Sequence, residues 1–187
     1  MSVNSWIETL STAQAAGTAL TNTTTATSII PAAAKFTIPA NFLSIGKVFR
    51  LWLGGQISTV TAAPGTLTLD VRFGSVIVFN GGAMNLNVTA QSNATWEAEM
   101  ILTIRALGQS TSANLIGQGR FTSRAIIGSA TVATGGVTST PIPDTAPAVG
   151  TGFDSTASQA IDVFAAWSTA NASNSIQVLQ YTLEAMN

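Results

Sequence analysis

The chain has 187 residues, of which 46% are hydrophobic and only 8% are charged, with a formal net charge of −1. This length corresponds to one domain with a sizeable core, and the hydrophobic share excludes a disordered acidic or basic tail. The seven basic residues are scattered, so they provide no cationic field for phosphate groups and we expect no nucleic-acid partner. No apolar run approaches the roughly 20 residues of a membrane-spanning helix, so we expect no membrane partner.

Residues 1–34 are rich in Ser, Thr and Ala and predict an extended N-terminal arm or edge strand in front of a single domain spanning 35–187. The start lacks the basic and apolar regions of a signal peptide. Within this segment, the Thr-rich stretch 20–32 favours a short strand. Trp6 is interpreted as an anchor for the arm.

Apolar residues then alternate with polar ones at every second position, which is the period at which side chains change the face of a β-sheet. The stretch KVFRLWL (47–53) sets Trp52 opposite its apolar face, which indicates a contact surface or a second buried layer. The stretch GTLTLDVRFG (65–74) sets Asp70 and Arg72 between four apolar residues. We therefore expect both charges on the water side or partner side of a strand, outside any catalytic site.

The next segments continue the β pattern. SVIVFNGG (75–82) ends in residues that tolerate positive φ, so a tight hairpin reversal is predicted there. ATWEAEMILTIRAL (94–107) predicts a strand with its large apolar residues facing inward. In ANLIGQGRFTSRAII (113–127), Gly117 and Gly119 share the inward face, which indicates bending or a close approach of the backbone.

The segment 128–158 changes character to Gly, Pro, Ser and Thr with few bulky residues, which predicts a long loop or arm. Pro141, Pro143 and Pro147 favour extended backbone that cannot join a central ladder. These prolines are therefore candidate contacts with a neighbouring molecule, and the alternative is a mobile surface loop.

Two strands close the chain. QAIDVFAAW (159–167) alternates regularly, whereas in IQVLQYTLEAM (176–186) the apolar phase changes near Val178, which predicts a β-bulge. The count reaches about eight to ten strands with no helix, the pattern of an all-β, antiparallel two-sheet sandwich. A jelly roll is preferred over an immunoglobulin-like strand order.

The chain contains no His and no Cys, which removes the Ser-His-Asp and Cys-His arrangements and the usual zinc sites. The remaining catalytic option is a carboxylate pair: Glu97 and Glu99 share one strand face, with Cα atoms roughly 6.5 to 7 Å apart. Because Arg105 shares that face, and Asp70 and Arg72 lie on another strand, ion pairs across strands are the preferred interpretation. We expect no enzymatic activity and no cofactor.

Three acidic residues flank or follow the Pro-rich segment. Asp144, Asp154 and Asp162 offer oxygen ligands for calcium, but their spacing matches no calcium-loop motif and turn capping is favoured. We therefore expect no metal site. Among the aromatic residues, Trp6 and Trp52 fall outside the core phase and are the candidate partner contacts.

Four stretches, IPANFLSIGKVFRLWLGGQIST, GTLTLDVRFG, TWEAEMILTIRALG and the terminal SIQVLQYTLEAMN, resemble small jelly-roll structural proteins of tailed bacteriophages, notably capsid decoration (cement) proteins. The resemblance spans about residues 35–187. It implies a virion protein on the capsid exterior, commonly a homotrimer, that binds the major capsid protein and stabilises the shell. A subunit that binds only the assembled lattice stabilises it by mass action.

Two functions of other classes stay open. The first is a tail-fibre or head-fibre module that recognises host-surface glycans, for which aromatic and amide side chains should cluster at one end of the sandwich. The second is a glycan hydrolase that uses Glu97 and Glu99.

Overall fold

The computed structural model describes residues 6–129 and 138–186. Within these ranges the chain is built from β-strands and one 3-10 turn at Ala32–Ala34. In chain order the strands are β1 (Ile7–Thr12), β2 (Leu20–Thr21), β3 (Thr27–Ser28), β4 (Phe36–Ile38), β5 (Val48–Thr59), β6 (Thr66–Phe73), β7 (Val76–Leu86), β8 (Gln91–Ala106), β9 (Ala113–Ser123), β10 (Ile126–Ser129), β11 (Ser139–Ile142), β12 (Ala148–Phe153), β13 (Gln159–Trp167) and β14 (Ser175–Met186). No helix in the described ranges has the length and apolar character needed to span a membrane.

The strands form two sheets, and every strand pair is antiparallel. The first sheet has the order β1-β14-β5-β8-β9-β11, with β12 also on β9 and β2 also on β14. The second has the order β10-β7-β6-β13-β3, with β4 also on β13. The two sheets enclose one buried apolar cluster. The predicted all-β, antiparallel two-sheet sandwich is confirmed.

The long strands pair in a nested order. The pairs β5/β14, β6/β13, β7/β10 and β8/β9 lie one inside the next along the sequence, with the β8–β9 connection at the centre. A chain with this nesting is one long hairpin that rolls up, which is how a jelly roll is built. The pairs divide between the two sheets: β5/β14 and β8/β9 lie in the first sheet, and β6/β13 and β7/β10 lie in the second.

The core consists of the inward phase of each strand. Phe49, Leu51 and Leu53 on β5 are fully buried, as predicted from the alternation. The indole of Trp96 stacks on the ring of Phe121, with centroids 5.4 Å apart and planes at 10°. Burial of one such aromatic side chain contributes about 2 to 3 kcal/mol, so the paired rings add to the backbone ladder in holding β8 and β9 together.

The glycines of β9 fill the predicted role. A Cβ on Gly117 would lie 2.6 Å from the Phe79 ring and 2.7 Å from Leu102. The absence of a side chain at Gly117 therefore lets β7 of the second sheet approach β9 of the first closely.

The predicted reversal at 80–82 is wrong. Strand β7 runs through these residues, and the tight turn to β6 lies at Gly74, where φ is +59°. The register between β6 and β7 shifts between Thr68/Ala83 and Asp70/Asn80. Residues 80–82 therefore form a β-bulge instead of a turn. In this bulge Gly82 has a φ of +73° and donates its N–H to Asn80 Oδ1 at 2.9 Å.

The described part of the segment 128–158 differs from the expected loop or arm. Strands β11 and β12 both pair with β9, so this part of the chain completes the edge of the first sheet. Pro141 lies on β11 opposite Arg120, and an edge strand tolerates proline because its outer N–H needs no partner. Pro143 and Pro147 lie between β11 and β12. Residues 130–137 of the expected loop are outside the described residues.

The two chain ends meet on the first sheet. β1 forms its other edge and pairs with β14, opposite residues 182–186. In β14 the register with β5 shifts between Val178 and Gln180, and Leu179 is exposed. The bulge predicted near Val178 is confirmed.

Candidate ligand-binding face

The outer face of the first sheet carries a row of aligned side chains. The register places Thr182, Trp52, Glu99, Arg120 and Pro141 side by side on β14, β5, β8, β9 and β11. Because neighbouring strands lie about 4.8 Å apart, the row is roughly 19 Å long. We call this surface the Trp52 face, meaning the outward residues of β14, β5, β8 and β9.

The tip of the Trp52 indole lies over Gly54. A Cβ added to Gly54 would lie only 3.2 Å from Cη2 and 3.6 Å from Cζ2 of that indole. Gly54 is buried although it points to the outer face, because the indole covers it. The half-buried Trp52 indole therefore packs on Gly54 through its Cη2–Cζ2 edge.

An ion-pair chain runs beside Trp52. Arg50 Nε donates to Glu99 Oε1 at 2.6 Å, and Arg50 Nη1 lies 3.6 Å from Glu184 Oε2. The Arg50 and Glu99 side chains are 41% and 44% exposed, so the pair contributes at most about 1 kcal/mol to stability. Its effect is to fix the orientation of the Glu99 carboxylate. The predicted cross-strand ion pair is present, but Arg50 is the partner of Glu99 and Arg105 is not.

Depressions lie on both sides of Trp52. One, of about 300 Å³, is lined by Arg50, Trp52, Thr182 and Glu184. The other, of about 120 Å³, is lined by Trp52, Glu97, Ala98, Glu99, Arg120 and Thr122. It continues past Glu99 and Arg120 into a groove of about 440 Å³ between β8 and β9.

Charge is concentrated on this face. Of only seven basic and eight acidic residues in the chain, six lie among these outward positions: Arg50, Glu97, Glu99, Arg105, Arg120 and Glu184. Exposed ion pairs stabilise a fold little, so the fold does not account for placing so many of a scarce residue type together.

The structure separates the candidate contact residues. Trp52 and Pro141 share the row, whereas Trp6, which is 56% exposed, precedes the edge strand β1. Pro143 lines a different depression, with Ile77 and Val149 among its neighbours, and Pro147 is exposed between two strands.

Sequence reasoning missed Arg50, Gly54 and Arg120 as members of the site. The signal for Arg50 was present, because the alternation in β5 places it on the same face as Trp52. For Gly54 the only signal in the sequence was its position two residues after Trp52, which places it on the same face of the strand.

Asp70 and Arg72 form a covered pair. The Arg72 Nε and Nη2 atoms donate to the two Asp70 carboxylate oxygens at 3.2 and 3.0 Å, and the guanidinium lies 3.9 Å from the Phe164 ring centroid. Asp70 is buried. The two residues lie on the outer face of the second sheet, opposite its apolar side as expected, and there Phe164 of β13 packs on the Arg72 guanidinium.

Asp154 and Asp162 serve local structure. Asp154 accepts hydrogen bonds from Thr156 Oγ1 at 2.7 Å and from the backbone N–H groups of Ser110 and Thr156, which lower the pKa of its carboxyl. This is the favoured turn-capping role. Asp162 accepts from Ser28 Oγ at 2.7 Å and pairs with Lys35 Nζ at 2.6 Å. In the described ranges, no three acidic side chains are grouped as metal ligands.

The described residues thus define a β-sandwich with one polar, aromatic-centred sheet face. No protein family and no curated protein matches the chain.

Among solved structures, the chain is similar to the CBM2 module of the evolved Dit of Lactobacillus casei BL23 phage J-1, with 11% identity, a TM-score of 0.43 and coverage of 99% of this chain and 98% of that one. It is also similar to peanut lectin in complex with a nine-residue peptide, with 9% identity, a TM-score of 0.35 and 99% coverage of each chain. A third is winged bean acidic lectin complexed with methyl-α-D-galactose, with 8% identity, a TM-score of 0.28 and coverage of 98% and 100%. With TM-scores this low, these similarities support no inference about the fold or the function of the chain.

Proposed function

We propose that the protein is a glycan-binding β-sandwich module and that the Trp52 face is its binding site. The observation that carries the proposal is the half-buried indole of Trp52, which packs on Gly54 between two depressions. A pyranose ring has an apolar face and a rim of hydroxyl groups. The apolar face stacks on an aromatic ring, and the rim requires hydrogen-bond donors and acceptors around that ring.

The groups around Trp52 meet this second requirement. Glu99 supplies carboxylate acceptors, Arg120 supplies guanidinium donors, and the Thr122 and Thr182 hydroxyls both donate and accept. Because Arg50 already holds Glu99 in place, the carboxylate loses little conformational freedom when a ligand binds.

The test is a glycan array followed by calorimetric titration of the glycans that bind. Trp52→Ala should weaken binding at least tenfold, since stacking and the loss of the ordered platform together are worth more than about 1.4 kcal/mol. Trp6→Ala is the matched control, because it removes an exposed indole outside the row, and it should leave affinity unchanged. Equal effects of the two substitutions, or no bound glycan, would refute the proposal.

We propose that the face binds glycans without hydrolysing them. Glu99 is engaged by Arg50, and Glu97 is exposed, so neither carboxyl lies in an apolar pocket of the kind that a general acid occupies. A reducing-end assay on each bound glycan tests this. Release of sugar that Glu97→Gln and Glu99→Gln both abolish would overturn it.

A second candidate is the capsid decoration protein that the sequence resemblance implies, a homotrimer on the virion exterior bound to the major capsid protein. The observation that favours it is the exposure of apolar side chains at both edges of the first sheet, Trp6 and Ile7 at one and Val149 at the other. With so few charges, such edges suit packing against neighbours. In this case the purified protein sediments as a trimer and raises the melting temperature of empty capsids, and a monomer that ignores capsids refutes it.

A further inference from the structure

The groove between β8 and β9 contains two arginines, Arg105 and Arg120, that form no ion pair among the described residues. It is lined by Glu99, Ile101, Thr103, Arg105, Ile116 and Gln118, together with Arg120 and the two glycines of β9. The carboxylate of Glu99 is engaged by Arg50. Among the described residues, no acidic group lies within ion-pair distance of Arg105 or Arg120. Both arginines are exposed, so a ligand can reach their guanidinium groups.

The two arginines stand at opposite ends of the groove. Ile104 is opposite Leu115 in the ladder, which places Arg105 beside the start of β9, whereas Arg120 lies five residues further along that strand. At about 3.4 Å per residue, the separation along the strand is roughly 17 Å. At this separation along the backbone, each guanidinium group can bind an anionic group of its own. A chain that carries carboxylates at intervals can contact both arginines.

The wall between the arginines is apolar and neutral. Ile101 and Ile116 project into the groove with Thr103 and Gln118, and Ile101 is exposed. Apolar groups with hydroxyl and amide partners suit the two faces of a sugar ring. The groove joins the Trp52 depression at Glu99 and Arg120, so one extended chain can occupy both.

We propose that the glycan bound by this face is an acidic polysaccharide containing uronic acid residues, whose carboxylates are bound by Arg105 and Arg120 in the groove between β8 and β9. This inference rests on the proposed glycan-binding function. Charge complementarity selects the carboxylated chain, because each arginine offers a planar fork of donors that matches a carboxylate.

The test compares polygalacturonate with its fully methyl-esterified form, which has the same backbone without the charge. We expect the wild-type protein to bind polygalacturonate at least tenfold more tightly than the ester at low salt, and this preference should shrink as sodium chloride screens the charges. Arg105→Gln and Arg120→Gln should each weaken binding of the acid form roughly tenfold, which is the loss of one hydrogen-bonded ion pair. Arg105→Gln should leave binding of the ester unchanged, whereas Arg120→Gln should weaken binding of the ester less than that of the acid form, because Arg120 also lines the depression beside Trp52.

Arg124→Gln is the matched control, since it removes the same charge from an exposed arginine outside the groove. It should leave both affinities unchanged. Equal affinity for the acid and the ester would overturn the inference while the Trp52→Ala test still decides the glycan proposal. An equal loss in the Arg124 variant, or equally tight and arginine-dependent binding of polyglutamate, would also overturn it. Thermal melts of the three variants should match the wild type because all three side chains are exposed.

Discussion

Gly54 and Gly55 are neighbours on β5 that face opposite sides of the first sheet, and substitution by Ala should have different consequences at the two positions. At Gly54 the new Cβ meets the tip of the Trp52 indole at 3.2 Å. At Gly55 the new Cβ would clash with the backbone carbonyl oxygen of Gln177 on β14 and lie 3.1 Å from Trp96 Nε1. The first neighbour is the end of a side chain, which can move, and the second is the backbone of a paired strand, which cannot move without breaking the ladder.

The magnitudes follow from these contacts. Gly55→Ala must push β14 away from β5 by more than about 1 Å, and overpacking together with weakened ladder hydrogen bonds costs about 3 to 5 kcal/mol. At about 2 to 4 °C per kcal/mol for a chain of this size, the melting temperature should fall by about 6 to 20 °C. Gly54→Ala only lifts the indole by a few tenths of an ångström, so it should cost less than about 1 kcal/mol of stability. It should weaken glycan binding by up to about tenfold, because the stacking platform is tilted.

Thermal unfolding and calorimetric titration of the two variants separate these effects. The account requires that Gly55→Ala lose stability and that Gly54→Ala lose affinity while it stays folded. If Gly55→Ala melts at the wild-type temperature, the close contact between β5 and β14 is misplaced. If Gly54→Ala binds glycans as tightly as the wild type, glycan binding does not depend on the packing of the indole on Gly54.

Two further predictions concern buried polar groups that change the free energy of unfolding. Tyr181→Phe should raise the free energy of unfolding by about 1 kcal/mol in urea titrations, because the buried Tyr181 hydroxyl has no hydrogen-bond partner among the described residues. Burial, and secondly the charge of Asp162, raise the pKa of Tyr181. Above about pH 10 the unfolded chain therefore releases a proton that the folded protein keeps, and the free energy of unfolding of the wild type should fall as the pH rises. The Phe variant should lack this part of the fall. Asp162→Asn removes the charge that pairs with Lys35 and binds Ser28, and it should destabilise the protein by about 1 to 3 kcal/mol at neutral pH in the same titration; an unchanged urea midpoint would show that these contacts do not hold the segment 27–38 on the second sheet.

The faces of the strands were predictable from the sequence because burial follows the two-residue period. Trp96 and Phe121 fall on the inward phase of their segments and are buried, whereas Ile101 breaks the phase of β8 and is exposed. The change of phase near Val178 likewise identified a bulge before any strand pairing was known. A one-residue shift in register would move every side chain of a strand to the other face, so the hydrophobic pattern carries this information strongly.

The Trp52 row was not predictable, because periodicity within a strand says nothing about which strands are neighbours. Trp52 and Glu99 are 47 positions apart in the sequence and become partners only through the β5–β8 pairing. The tolerance of 80–82 for positive φ is compatible with both a turn and a bulge. The pairing of 138–158 with β9 was hidden because prolines are tolerated on edge strands as well as in loops.

The central claim, that a glycan stacks on Trp52, is tested most directly by the indole N–H signals of the four tryptophans in a nitrogen–proton correlation spectrum. Trp96 and Trp167 are buried and their indole N–H groups are hydrogen-bonded to backbone carbonyls, and Trp6 lies outside the row. When a glycan from the array is titrated in, we predict that the Trp52 signal moves in proportion to saturation and that the other three stay in place. A bound glycan that leaves the Trp52 signal unmoved, or that moves the Trp6 signal instead, would contradict the account.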